Sequence, residues 1–477
     1  MPAGVEGEAP ADAGRWAHRL AIAGLLFGCL ALALRYYYAA TTSLTYDEAT
    51  YVELAQHPWH SSYYPDRIFA RHPPLAFLLL GGWTSLFGGA EASVRLWALL
   101  CCLAAAILVW DTVHRRAGPA AAALAGVLLG LSFPWLVYGI QATMYPPAVL
   151  FIALATHAEA RGRTGLTKAA LTAAALTHLF GFLFLALWVW RQPARRRAFL
   201  HTAPAWLWLL VATLAVLAAR NAAGPGLGPA WQAARGFELF YELTHDQGAG
   251  LRHAFAFFLA LLMLNPILLE RGWFEAHRRS SWAIGLTVLT AFLLTGPPFL
   301  RYTAILVPVA FFVGFHREDL ERQVARRAAL SIVIALAALT SATAYVNSGL
   351  DGTVQNDVPG LVDWREAASI AVASNASRIV LGAPPPMAYY LERDHGFQVA
   401  SSADGPRFLP MHGPGGRSIE VHGASGAAGY READDGQALL VVLDTQAGTL
   451  ANLFHDGYRV CASVRGAYVL STLPDGC

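Results

Sequence analysis

Two adjacent carboxylates, Asp47 and Glu48, follow Leu44-Thr45-Tyr46 just beyond the first apolar run of the chain. A carboxylate at an apolar boundary can serve as a base towards a hydroxyl or hold a divalent cation, and a solvated helix-end pair is the plain structural alternative. Arg71 and His72 stand before Pro73-Pro74. The planar guanidinium suits phosphate oxygens, although an arginine at this depth can also snorkel. Arg301, in Pro297-Pro298-Phe299-Leu300-Arg301-Tyr302, lies between two apolar runs, where a cation needs an anionic substrate or a carboxylate as partner. Tyr138, Tyr145, His178 and Tyr302 fall near the same ends of their runs, and interfacial anchoring accounts for each tyrosine taken singly. Together these residue types suggest acid/base chemistry beside a phosphate. His57 and His60 offer only two nitrogens at loop spacing, a weak basis for a metal site.

The elements that must position these groups are membrane helices. Of 477 residues, 56% are hydrophobic and 14% charged, with mean hydropathy +0.41, the composition of a polytopic membrane protein. A net charge of +2 gives no case for nucleic acid. The cysteines, Cys29, Cys101, Cys102, Cys461 and Cys477, contain no CxxC, which excludes a thiolate metal framework; Cys461 and Cys477 share the soluble tail and can pair in an oxidising compartment.

Residues 1–18 read as a cytoplasmic tail, because Arg15 and Arg19 precede the first run at 19–36. Ala31-Leu32-Ala33 has the form of a signal-peptidase site, but Tyr36 to Tyr38 make an interfacial belt that suits an uncleaved anchor. Residues 19–346 form the transmembrane domain, with 37–90 as a first outer loop in which the segment after Pro74 is an interfacial amphipathic helix. Basic clusters at Arg115/Arg116, Arg161/Arg163, Arg195 to Arg197, Arg278/Arg279 and Arg326/Arg327 are expected in the cytoplasm. The run at 166–190 lies between two such clusters and is too short for two full spans, so it is predicted to be a hairpin of short helices with Thr177 and His178 at its tip. This gives about eleven helical passages. Residues 347–477 change to alternating helical and strand-like segments, an extracytoplasmic α/β domain. No phosphate loop, GxGxxG after a strand, or D-x-D triplet occurs, which disfavours a nucleotide or nucleotide-sugar user.

In this order, Tyr46-Asp47-Glu48, His72-Pro73-Pro74-Leu75 followed by Leu86-Phe87-Gly88, Arg95-Leu96, Tyr138 with Met144-Tyr145, Thr177-His178, Arg301-Tyr302 with Pro308, and Asp363-Trp364-Arg365 resemble the membrane-embedded GT-C glycosyltransferases. The likeness is to the family 39-like branch that holds protein O-mannosyltransferases and lipid A aminoarabinose transferases, and it runs over nearly the whole chain. Two positions depart from it: Thr143 stands where many relatives have an arginine, and His72 where aminoarabinose transferases have a lysine.

The resemblance implies a GT-C fold and transfer of a hexose or pentose from a polyprenyl-phosphate donor, with inversion, to an envelope lipid, glycan or protein at the outer face of the inner or plasma membrane. It implies Asp47 as general base or acceptor-positioning carboxylate, with Glu48 supporting it or sharing a divalent cation in a metal-using variant. Arg71, His72 and Arg301 would hold the donor phosphate, and Tyr138, Tyr145, His178 and Tyr302 would line the cavity. A lipid-linked sugar transporter or flippase, or a noncatalytic envelope protein, is the alternative; functional charges midway through spans and internal repeats would favour transport.

Overall fold

The computed structural model describes residues 11–56, 73–190, 303–314, 362–374, 377–381, 384–399, 408–423, 430–431, 438–443, 447–456, 458–465 and 467–471. Arg71, His72, Arg301, Tyr302 and Cys477 lie outside the described residues, as do the apolar runs at 199–219, 253–269, 281–296 and 328–346.

Two described helices, α1 (Ala11–Ala39) and α4 (Glu91–Gly130), are long and apolar enough to cross a membrane. α1 begins inside the stretch read as a tail, and its Leu26, Leu30 and Leu34 are exposed, an apolar face suited to lipid. α4 is two helices joined at Gly118, whose φ of 85° breaks the helix and whose neighbour Pro119 opens the next one. Its contacts with α1 fix the sense of the break. Tyr36 bonds to Ala92 and Ala21 to Trp110, so α1 and the first half run antiparallel. Gly24 then meets Ala123, and Gly28 meets Gly126 and Gly130, so the second half runs back beside α1.

That second contact is close enough to exclude side chains. A Cβ on Gly24 would stand 2.3 Å from the Ala123 carbonyl oxygen, and one on Gly126 would stand 2.2 Å from the Gly24 carbonyl carbon. Gly24-x-x-x-Gly28 facing Gly126-x-x-x-Gly130 is thus a small-residue crossing, in which backbone packing replaces the hydrophobic drive that lipid cannot supply.

At one end of this bundle lie α2 (Tyr46–Gln56) and α3 (Leu75–Phe87). α3 buries Phe77 and Leu80 while exposing Leu78, Leu79, Leu86 and Phe87, in keeping with an interfacial position. α5 (Phe133–Tyr138) and α6 (Tyr145–Ala160) follow, with α6 packed on α4. α7 (Thr164–Thr177) and α8 (Leu179–Trp190) separate at His178, whose backbone is extended at φ −152°, ψ 143°. They fold back tightly, since a Cβ on Gly181 would stand 2.2 Å from the Ala174 carbonyl carbon. α9 (Thr303–Gly314) packs on α4, α5 and α6, and Arg116 at the Gly118 turn caps its Phe312 carbonyl at 2.6 Å.

Among the described residues, the C-terminal region holds a seven-stranded sheet in the order β2-β3-β4-β1-β5-β7-β6. The strands are β1 (Arg378–Leu381), β2 (Gln398–Val399), β3 (Phe408–His412), β4 (Ser418–Gly423), β5 (Ala438–Leu443), β6 (Arg459–Val464) and β7 (Ala467–Ser471). β1 is parallel to β4 and β5, and the flanking pairs are antiparallel. The central strands Ile-Val-Leu and Ala-Leu-Leu-Val-Val are buried and β-branched-rich, as a two-faced core strand requires. Helices α10 (Trp364–Ala373), α11 (Pro384–His395) and α12 (Ala447–His455) complete it. Cys461 on β6 is disulfide-bonded, while Cys29, Cys101 and Cys102 are free.

Gly24→Val is expected to lower the thermal unfolding midpoint of the detergent-solubilised protein by several degrees, equivalent to at least ~2 kcal/mol, because backbone must move to admit the side chain. Fluorescence-detected size-exclusion after heating measures it; an unshifted midpoint would show that the crossing is looser than described.

Candidate active site

The site is assembled around a turn that the sequence alone does not make conspicuous. α1 ends at Ala39 and α2 starts at Tyr46. Thr45 and Glu48 form a capping box: the Glu48 amide donates to Thr45 Oγ1 at 3.2 Å, and the Thr45 amide donates to Glu48 Oε2 at 3.0 Å. Arg95, on the first turns of α4, then binds Glu48 with two bonds, Nε to Oε1 at 2.8 Å and Nη2 to Oε2 at 2.6 Å, and both side chains are fully buried. Its other N–H groups reach the Thr42 carbonyl at 2.8 Å, the Ser43 carbonyl at 2.8 Å, Thr42 Oγ1 at 3.1 Å, and the Ala39 carbonyl. Ala39 is the last residue of α1, and Thr42 and Ser43 lie in its connection to α2, so one guanidinium gathers the whole turn. Finally the Ala142 amide donates to Glu48 Oε1 at 3.2 Å, tying in the turn between α5 and α6.

Four N–H bonds therefore occupy the Glu48 carboxylate. The sequence groups it with Asp47 as a reacting pair; its geometry is that of a buried anchor. Successive helical residues point about 100° apart, so Asp47 leaves α2 in another direction, and it is only partly buried. A cation at Asp47 would have to draw its remaining ligands from elsewhere.

Three other expected residues come together beside the Ala142 turn. The Tyr138 and Tyr145 rings lie 6.4 Å apart, and Tyr145 lies 5.7 Å from His178. All three are buried. The Phe180 amide donates to His178 Nδ1 at 3.1 Å, which makes Nδ1 an acceptor and leaves the ring proton on Nε2. The hairpin break thus places this imidazole beside Tyr145.

The C-terminal domain docks on the same turn from the other side. Tyr390 Oη accepts from the Leu44 amide at 2.6 Å and donates to Glu91 Oε1 at 3.0 Å. Glu91 also pairs with Arg393 at 2.9 Å and with Arg365. Ser43 Oγ donates to Asp363 Oδ1 at 3.1 Å, the same oxygen that caps α10 through the Glu366 amide. Tyr389 Oη donates to the Gly89 carbonyl at 2.7 Å. Burial pushes the Tyr389 phenol up to about 12. Burial, helped by the Glu91 charge, also raises Tyr390, so it remains a proton donor. Burial opposes ionisation of Asp394, but Arg393 outweighs it and lowers that pKa.

Sequence reasoning named Arg95 only within the resemblance, without a role, and missed Tyr390. The pattern Thr45-x-x-Glu48 could have flagged Glu48 as a capping residue, and Asp363-x-x-Glu366 likewise marks the start of α10. No local signal links Tyr390 with Leu44, 346 positions away.

A family model described as dolichyl-phosphate-mannose-protein mannosyltransferase matches residues 71–220, a span that includes Arg95, Tyr138, Tyr145 and His178 but not Asp47 or Glu48. No curated protein matches the chain. Among solved structures, ArnT from Cupriavidus metallidurans bound to undecaprenyl phosphate is similar at 17% identity and TM-score 0.50, over 94% of this chain and 98% of that one. Its apo form gives 15% identity and TM-score 0.48, over 97% and 99%. The Archaeoglobus fulgidus oligosaccharyltransferase in complex with zinc and sulfate gives 13% identity and TM-score 0.44, over 78% of this chain and 61% of that one. The GT-C, family 39-like resemblance is borne out, and the chain has a GT-C membrane fold with a C-terminal sheet domain.

Arg95→Leu is expected to destabilise the protein by ~3–5 kcal/mol by leaving Glu48 charged and buried, with the Arg95→Leu/Glu48→Leu pair recovering part of the loss. A denaturation double-mutant cycle in detergent reads this; additive losses would mean that the two side chains do not act as a pair. Tyr390→Phe is expected to cost ~1–3 kcal/mol by orphaning the Leu44 amide. Faster hydrogen exchange at residues 44–48 is its signature, and unchanged exchange would remove Tyr390 from the support of this turn.

Proposed function

We propose that this chain moves a sugar from a polyprenyl-phosphate-linked donor to an envelope acceptor at the outer face of the membrane, with inversion at the anomeric carbon. The observation that carries the reading is the seating of Asp47: a partly buried carboxylate on the first turn of α2, next to a buried Glu48–Arg95 pair that fixes that turn. The GT-C fold supports the reaction class. The neighbour described as bound to undecaprenyl phosphate supports the donor class.

In this reading Asp47 takes the proton of an acceptor hydroxyl as its oxygen attacks the anomeric carbon. The bond from that carbon to the phosphate oxygen breaks on the opposite side, and polyprenyl phosphate leaves with the electron pair. Arg71, His72 and Arg301 stabilise the charge that develops on the leaving phosphate. Glu48 and Arg95 act as positioning residues, and His178 with Tyr138, Tyr145 and Tyr302 forms the wall of the reaction cavity. Acceptors of lipid, glycan and protein type all present such a hydroxyl.

The proposed orientation has the N-terminus in the cytoplasm, about eleven passages and the C-terminal domain outside. Two features support it. The domain docks at the Glu91 end of the first half of α4, whereas Arg115 and Arg116 lie at the opposite end, next to Gly118. A disulfide at Cys461 also suits an oxidising compartment.

Asp47→Asn is expected to leave the protein folded and donor binding within about twofold, while turnover falls at least ~10²-fold. Polyprenyl-phosphate release from lipid-linked donors, with envelope extract as acceptor, is the assay. Normal turnover in the variant would sink the assignment of the base, and no release by wild type with any donor would sink the reaction class.

A further inference from the structure

At the far end of α2 from Asp47, the transmembrane bundle and the C-terminal domain leave a cleft of about 850 Å³ between them. Its floor is the last turn of α2 and the 89–91 connection; its roof is α11 and β2. Four carboxylates line it, Glu53, Glu91, Glu392 and Asp394, against the two guanidinium groups of Arg365 and Arg393. Both guanidinium groups are already paired with Glu91. An anion entering the cleft therefore meets an excess of negative charge and no uncommitted cation among the described residues.

The remaining lining asks for hydrogen bonds. Arg365 Nε is buried and makes no hydrogen bond, and Asp394 Oδ2 at 3.6 Å is within ion-pair range only. That atom has no open surface, so the hydrogen-bonding capacity of the cleft lies with its exposed groups. Gln56 and Gln398 are exposed at the cleft and can each donate and accept, while the carboxylates accept. Phe397 and Val399 supply an apolar stretch of wall. A ligand that matches must offer several groups that donate and accept at once, carry some apolar surface and bear no negative charge. Sugar hydroxyls on a ring meet each requirement.

We infer that this cleft binds the glycan part of the acceptor, and that it selects neutral or amine-bearing sugars over acidic ones. The inference rests on the transferase reading and adds the acceptor's chemical class to it. α2 sets the distance between the two: Asp47 and Gln56 are nine residues apart, about 14 Å along one helix, a length that a glycan of more than one ring can span.

The test uses the full chain in lipid nanodiscs and three methyl glycosides that differ at one substituent: methyl glucoside, methyl glucosaminide and methyl glucuronide. Saturation-transfer NMR should show the first two binding and the glucuronide at least about tenfold weaker. Gln398→Ala should weaken methyl glucoside binding several-fold, and Glu392→Gln should narrow the discrimination against glucuronide. Equal binding of all three sugars, or binding that neither substitution alters, overturns the inference. Donor turnover by wild type with envelope extract as acceptor tests the underlying reading separately. Sugar binding without any donor turnover would overturn the acceptor role together with that reading, and turnover without sugar binding would overturn the cleft alone.

Discussion

An arginine and a glutamate with no contact with solvent are tolerated in an apolar bundle only when every N–H and every oxygen finds a partner, because the desolvation of each ion is otherwise uncompensated. Arg95 and Glu48 meet that demand by drawing in the end of α1, the start of α2 and the turn before α6. The requirement to satisfy two charges thereby dictates the path of three chain segments. Lysine could not replace Arg95, since a point charge lacks the planar fork that grips both carboxylate oxygens while the outer N–H groups reach backbone carbonyls. The partly buried Asp47 inherits its position from this arrangement.

Much of the helical framework was legible because its signals are local. Apolar runs, the arginine clusters and the impossibility of fitting two spans into 166–190 foretold the reversal at His178, and a proline pair marked the start of α3. The C-terminal segments that alternate in periodicity became α10, β1, α11, β5, α12 and β6 in order. The short strands β2, β3, β4 and β7 were less visible, since five residues interrupted by Pro410, or two residues at an edge, leave little pattern to read.

The residue types around the α1–α2 turn were legible, and how each side chain is seated was less so. Asp47 and Glu48 look alike in sequence, yet one is partly open and the other saturated, and Thr45, Arg95 and Ala142 together decide which. The crossing of α1 on α4 has the same character. Gly24 and Gly28 are unremarkable in an Ala/Gly-rich helix until the partner glycines, about a hundred residues later, come alongside.

The docking of the C-terminal domain has a consequence for how the molecule is made. Ser43 and Leu44 find their partners Asp363 and Tyr390 320 and 346 residues downstream, whereas Arg95 reaches the same turn within about fifty. The ribosome thus delivers the inner half of this seat early and the outer half near the end of synthesis. α1 is made long before its tip is finished, and the growing chain carries the turn at Ser43 and Leu44 incomplete until the C-terminal domain follows.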